Sequence, residues 1–80
     1  MARIIDRDKC NIVGNKVRYY RKQRKYSQQM LSNKLETMAI YICRGSISRI
    51  EDGSRTVTDI ELFGLAQALN VSIDNLFDLD

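Results

Sequence analysis

The stretch Ser27–Gly53, SQQMLSNKLETMAIYICRGSISRIEDG, decides how this chain is read. Ser27 suits an N-cap, because its hydroxyl can accept one of the N–H groups that a first helical turn leaves unpaired. Met30, Leu31 and Leu35 then recur on one helical face. Ile47 and Ile50 form a second apolar pair with Arg44, Ser48 and Arg49 around it, and Asp52-Gly53 supplies a stop, since glycine tolerates the left-handed conformation just past a helix. The pattern predicts two helices joined by a turn, the second about two and a half turns long. A short helix with a buried isoleucine pair and exposed Arg and Ser fits the major groove of B-DNA. A plain core helix with solvated charges has the same periodicity, so spacing alone leaves both readings open.

Working outward, Val13, Val17 and Tyr20 fall at i, i+4 and i+7, which predicts a first helix from Asn11 to about Arg24 with Lys16, Arg18, Lys22 and Arg24 on its outer face. Gly14 inside that helix costs about 1 kcal/mol relative to Ala and implies either a close helix approach or simple tolerance. Residues 1–10 alternate charge with little apolar content and predict a loose arm or a frayed first turn, with Arg3 and Arg7 either reaching phosphates or lying in an unstructured tail. Tyr26 is placed to pack back on the second helix from the position before its N-cap. Beyond Gly53, Thr58 and Glu61 make a T-x-x-E capping box. Ile60, Leu62, Phe63, Leu65, Ala66 and Leu69 then give a fourth, central helix a broad apolar face. Asn70 can end that helix in the left-handed conformation, and Ser72 can cap a last short helix holding Ile73, Leu76 and Phe77. No run alternates as a strand would. The expected fold is all-α, a compact five-helix domain over residues 11–80 preceded by an arm over 1–10.

Composition narrows the function. Eighty residues, 44% hydrophobic and 29% charged, make one ordinary globular domain that buries about 60% of its extended-chain surface. No apolar run approaches the roughly 20 residues of a membrane span, and the first residues lack the apolar core of an export signal, so no membrane and a cytoplasmic location are expected. Cys10 and Cys43 are expected to be reduced thiols. With no His and no CxxC or CxxH spacing, an ordinary four-ligand zinc site cannot be assembled, and the commonest general base is missing. No nucleophile–base pair or phosphate-cradling Gly loop appears, so neither an enzyme nor a cofactor is expected. The net charge of +3 conceals a polarity: Met1 to Leu35 holds ten Lys or Arg against Asp6 and Asp8, whereas Thr56 to Asp80 has five acids and no base. One pole attracts polyanions.

The segments SQQMLSNKL, SISRIEDGSR and IELFGLAQALNVSIDNLF, in that order, resemble the Xre/Cro-type helix-turn-helix family, the lambda-repressor-like DNA-binding domains. The similarity runs from roughly Ile12 to Phe77. It implies a sequence-specific double-stranded-DNA-binding transcriptional regulator, of repressor type, whose recognition helix spans about 44–52. On the matching positions, Cys43 is the N-cap of that helix, where Ser or Thr is usual, and Arg44, Gly45, Ser46 and Arg49 face the bases. Ser27, Gln28, Ser48, Ser54 and Arg55 match positions toward phosphates, and Arg21 and Glu51 match a structural ion pair. Asp52 stands where Asn is frequent, which leaves only its backbone N–H to serve a phosphate. Lys25 stands where Gly is common, and a left-handed turn there costs about 1–2 kcal/mol that Gly would avoid. The resemblance further implies a homodimer, or equally a monomer that dimerises only on DNA, with Val71, Ile73, Leu76, Phe77 and Leu79 as the candidate surface, more than half of them expected in the core. The main departure is the connection before the recognition helix: Glu36 to Ser46 makes eleven residues where about six are usual. Because the extra piece is apolar, the second helix is expected to run on about a turn past Leu35, with Met38 on its apolar face, Ile40 and Ile42 against the core and Tyr41 outside; the alternative to core packing is that the insertion touches DNA or a partner subunit. The acidic C-terminal pole and this insertion motivate the competing reading, a protein-interaction module with little DNA role.

Overall fold

The computed structural model describes residues 8–78, which form five helices and no strand: α1 (Gly14–Gln23), α2 (Gln28–Glu36), α3 (Arg44–Glu51), α4 (Asp59–Leu69) and α5 (Ile73–Leu76). Val17 of α1, Leu31 and Leu35 of α2, Ile47 and Ile50 of α3, Leu65 and Leu69 of α4 and Leu76 of α5 are fully buried against one another. Each such side chain contributes about 1.5–3 kcal/mol over its exposed state.

Helix starts follow the polar caps of the sequence. Ser27 Oγ accepts from the Met30 N–H at 3.0 Å, Thr58 and Glu61 close a reciprocal box, and Ser72 Oγ accepts from the Asn75 N–H. The ends of α1 to α4 share one device. A residue at positive φ turns the chain back so that the next N–H reaches a carbonyl five residues earlier: Tyr26 to Arg21, Ile40 to Leu35, Ser54 to Arg49 and Val71 to Ala66. The left-handed residues are Lys25, Ala39, Gly53 and Asn70. Lys25 and Ala39 therefore carry a Cβ cost that Gly53 does not.

Several expectations change. Residues 11–13 precede α1 rather than belong to it. Asn11 Oδ1 accepts from the N–H groups of Val13 and Gly14 and so caps the helix from outside. Regular α2 stops at Glu36, and Ala39 at φ 60° closes the next turn, so the full extra turn does not form. Met38 still packs on the core. Met30 is half exposed rather than inward, and Ile60 and Phe63 lie on the outer face of α4. Gly14 marks a close helix approach, because a Cβ there would fall 2.1 Å from the Ile50 carbonyl oxygen.

The insertion is held in place. Ile42 is buried, Ser32 Oγ donates to the Ile42 carbonyl at 2.6 Å, and Ile40 fills a notch over Gly64, where a Cβ would meet its Cδ1 at 2.3 Å. Residues 9 and 10 are tied down as well: Lys9 Nζ donates to the Asp52 carbonyl and the Cys10 N–H to the Gly53 carbonyl. Arg3 and Arg7 lie outside the described residues.

Candidate nucleic-acid interface

Helix α3 buries one face and presents the other. Ile47, Ile50 and Glu51 point into the molecule, Ser46 is half-buried, and Arg44, Gly45, Ser48, Arg49 and Asp52 form a continuous exposed strip. The isoleucine spacing alone sets this division. The Arg44 guanidinium has no partner among the described residues. Arg49 Nη2 donates to Ser46 Oγ at 3.0 Å, while the neighbouring acids Glu51 and Asp52 are engaged by Arg21 and Ser54. At Gly45 a Cβ would meet only the end of Arg49, at 3.6 Å, so the helix surface there is open. An arginine with five unspent donors on a groove-sized helix can make a bidentate pair with guanine O6 and N7, or grip a phosphate.

Cys43 holds the N-cap position but makes no cap hydrogen bond. Its sulfur lies 3.4 Å from Ser46 Oγ. That hydroxyl first, and then the nearby Ser46 N–H, which does not reach the geometry of a cap hydrogen bond, favour the thiolate and bring the Cys43 pKa below the ordinary thiol value. The first-turn N–H groups of α3 thus face outward with a weak cap, an arrangement that favours an anion.

The other end of α3 is built around Glu51. Arg21 reaches it with Nε at 2.6 Å and Nη2 at 3.0 Å, while a third donor, Nη1, goes to the Tyr26 carbonyl. Arg18 approaches the same carboxylate at 3.6 Å, and Gln28 Nε2 donates to it at 3.1 Å. Arg21 and Glu51 are both buried, so this fork fixes the angle between α1 and α3. Gln28 extends the hub to the first turn of α2, where Ser27 spends its lone pair on the Met30 N–H and keeps its hydroxyl proton for an external acceptor.

Two expected phosphate ligands are internally engaged. Arg55 forms a fork with Glu61, at 3.0 and 2.9 Å, and also donates to the Thr56 carbonyl. This pairing raises the Arg55 pKa and lowers that of Glu61. Ser54 Oγ donates to Asp52 Oδ1 at 2.6 Å, and the Ser54 N–H reaches the same oxygen at 2.9 Å, which holds the Asp52 carboxyl below its usual range. The Asp52 N–H, expected to remain for a phosphate, is spent on the Ser48 carbonyl. Ser48 itself is exposed on the strip, beside Arg44.

Sequence reasoning missed two residues that hold this geometry. Asn11 Nδ2 donates to the carbonyls of Ile50 at 3.1 Å and Arg55 at 2.8 Å while its oxygen caps α1, so one amide joins α1, the end of α3 and the loop after it. Its helix-capping preference was the available signal. Arg24, read as part of a solvated basic face, donates to the carbonyls of Leu69 and Asn70 and closes the C-terminus of α4; no local signal pointed there.

The comparisons agree with this geometry. The family model described as Helix-turn-helix matches residues 17–76. Among solved structures, the restriction-modification controller protein C.AhdI from Aeromonas hydrophila is similar at a TM-score of 0.70 and 25% identity, over 80% of this chain and 86% of that one. The P22 c2 repressor, solved in complex with a synthetic operator, is similar at 0.72 and 26%, over 88% and 98%. SinR, the master regulator for biofilm formation, solved in complex with DNA, is similar at 0.71 and 27%, over 82% and 98%. No curated protein matches. With the family model covering three-quarters of its length and the recognition-helix geometry in place, this chain belongs to the Xre/lambda-repressor-like helix-turn-helix family of DNA-binding transcriptional regulators.

Proposed function

We propose that this regulator is a repressor that reads an operator through the exposed strip of α3, with Arg44 and Arg49 as the principal base-contacting side chains. The observation that carries the reading is the Arg44 guanidinium, without a partner among the described residues, at the open, weakly capped end of a helix whose opposite face is buried. Gly45 leaves room for the groove floor, and Ser46 holds Arg49. Ser27, Gln28 and Ser48 grip phosphates on the same side, Gln28 by turning its amide from Glu51. Ser54 and Arg55 serve the backbone only by leaving Asp52 and Glu61, so their contribution is smaller. The same reading takes 11–80 as the DNA-binding domain and 1–10 as an arm or frayed start, of which Lys9 and Cys10 are fastened to the carbonyls of Asp52 and Gly53. No catalytic role or cofactor belongs to this reading. A duplex target implies the cytoplasm, and among the described residues no helix is long and apolar enough to cross a membrane.

A selection of bound duplexes from a random pool, repeated with Arg44→Ala and scored at two salt concentrations, tests this. A recovered motif whose preference relaxes in the variant supports base reading by Arg44. An unchanged ratio of specific to non-specific affinity would move base reading elsewhere.

A homodimer is part of the proposal. Phe63, Val71 and Ile73 line an open groove between α4 and α5 together with the polar Gln67, Ser72 and Asp74, and Phe77 is exposed at the end of α5. Leu76, by contrast, is fully buried and unavailable, and Leu79 lies outside the described residues. Sedimentation of the wild type and of Phe63→Glu decides it: loss of a dimer in the variant, with the fold intact, is the expected outcome, and a monomeric wild type on and off DNA would refute it.

A further inference from the structure

We propose that the expanded connection between α2 and α3 is a second DNA-contacting element, in which the Tyr41 hydroxyl donates to a backbone phosphate flanking the bases that α3 reads. This rests on the DNA-reading role proposed above.

An apolar insertion gains most by burying itself, and Ile40 and Ile42 do so. Tyr41 does not: at 77% exposure it is the most exposed of the large apolar side chains. A single exposed aromatic is commonplace. What distinguishes Tyr41 is the fixed backbone beneath it. The Ile40 N–H is bound to the Leu35 carbonyl at 3.1 Å, Ser32 Oγ holds the Ile42 carbonyl, and Ile40 is wedged over Gly64. A contact made from such a segment costs little further ordering.

Its position gives the occupant. Burial alternates from Ile40 to Cys43, half-buried, exposed, buried, exposed, so Tyr41 and Cys43 share the outward edge of an extended segment. Cys43 is the N-cap of α3, and two residues span at most about 7 Å. Tyr41 therefore extends the strip that begins at Arg44. No acid occurs from Thr37 to Ile50, so nothing in that stretch repels a phosphate. The hydroxyls of Tyr19 and Tyr20 accept from Gln23 and Asn75, whereas the Tyr41 hydroxyl has no partner among the described residues. Tyrosine hydroxyls are among the groups that position proteins on phosphates without reading sequence.

The test uses the full chain and a duplex recovered from the random pool. Tyr41→Phe removes one neutral donor, so affinity should fall about three- to tenfold on all sequences alike. The salt dependence should be unchanged, because no cation is lost, whereas Arg44→Ala should reduce it if Arg44 neutralises a phosphate. Ethylation interference should show one phosphate that matters to the wild type and not to Tyr41→Phe. Because the chain has no Trp, Tyr41→Trp provides a single fluorescent reporter that should change on saturation with duplex. Equal affinity and identical interference for wild type and Tyr41→Phe would overturn the assignment while leaving DNA reading intact. A changed base preference in Tyr41→Phe would overturn the phosphate contact in favour of a base contact. Absence of duplex binding by the wild type at low salt would remove the DNA-reading role and this inference with it.

Discussion

The two ends of α3 are built by opposite rules. At the C-terminal end, Glu51 is buried and receives Arg21, Arg18 and Gln28, while Gly14 lets α1 touch the Ile50 carbonyl and Asn11 fastens that carbonyl to the following loop. At the N-terminal end, Cys43 makes no cap hydrogen bond, Gly45 has only the end of the Arg49 side chain near it and Arg44 has no partner among the described residues. The helix is thus clamped where it meets its own protein and open where, in the proposed function, it meets DNA. Precise presentation of an unspent arginine needs the rigidity to be supplied from the other end, because a base-reading donor that is already paired cannot read.

The sharpest way to break this contrast is Glu51→Ala, which leaves Arg21 buried without its counter-charge; stability should fall by about 3–5 kcal/mol, seen as a large drop in denaturation midpoint. If the loss were under about 1 kcal/mol, the clamp would not be what sets the helix angle. Gly14→Ala comes next. The obstacle is a backbone oxygen rather than a movable side chain, so α1 and α3 must separate, at a cost of about 1–3 kcal/mol.

Acid probes the neighbouring loop. Glu61 has its pKa lowered chiefly by the hydrogen bonds from Arg55, so its contribution to stability is fully present above the ordinary carboxylate value of 4.5 and is lost as pH falls through the lowered folded value. Denaturation midpoints measured from pH 7 down to 2 should decline below about 4.5 in the wild type. Glu61→Gln should be less stable at pH 7 and show a shallower decline, with Asp52, held down by Ser54, supplying the remainder.

At the open end the predicted effects are small and opposite in sign. Cys43→Ser supplies the missing cap and should stabilise by about 0.5–1 kcal/mol, or roughly 2–8 °C in Tm. Gly45→Ala should add about 0.5–1 kcal/mol of helix propensity, since its Cβ meets only the end of Arg49. Destabilisation by either would show that the N-terminal turn is constrained after all.

Much of this arrangement is local and therefore written in the sequence. Ser27, Thr58 with Glu61, and Ser72 start helices because their side-chain oxygens lie within reach of N–H groups two or three residues on. Gly53 and Asn70 end helices because they tolerate positive φ. The isoleucine pair of α3 assigned its exposed strip, and alternation along the insertion sent Tyr41 outward. Tertiary structure decided what depends on partners distant in the chain. Gly14 could be read as tolerance or contact until Ile50 arrived 36 residues later in the sequence. Met30, Ile60 and Phe63 fit an apolar face by spacing, yet which part of that face meets another helix is set by packing angles that no local rule contains. Arg24 and Arg55 looked like free cations because the carbonyls and carboxylate that hold them come together only in the folded chain. Periodicity, caps and turn residues act over a few neighbours and are legible one stretch at a time. Whether a given arginine is spent inside the protein or left for DNA is a competition among distant groups, and only the folded geometry resolves it.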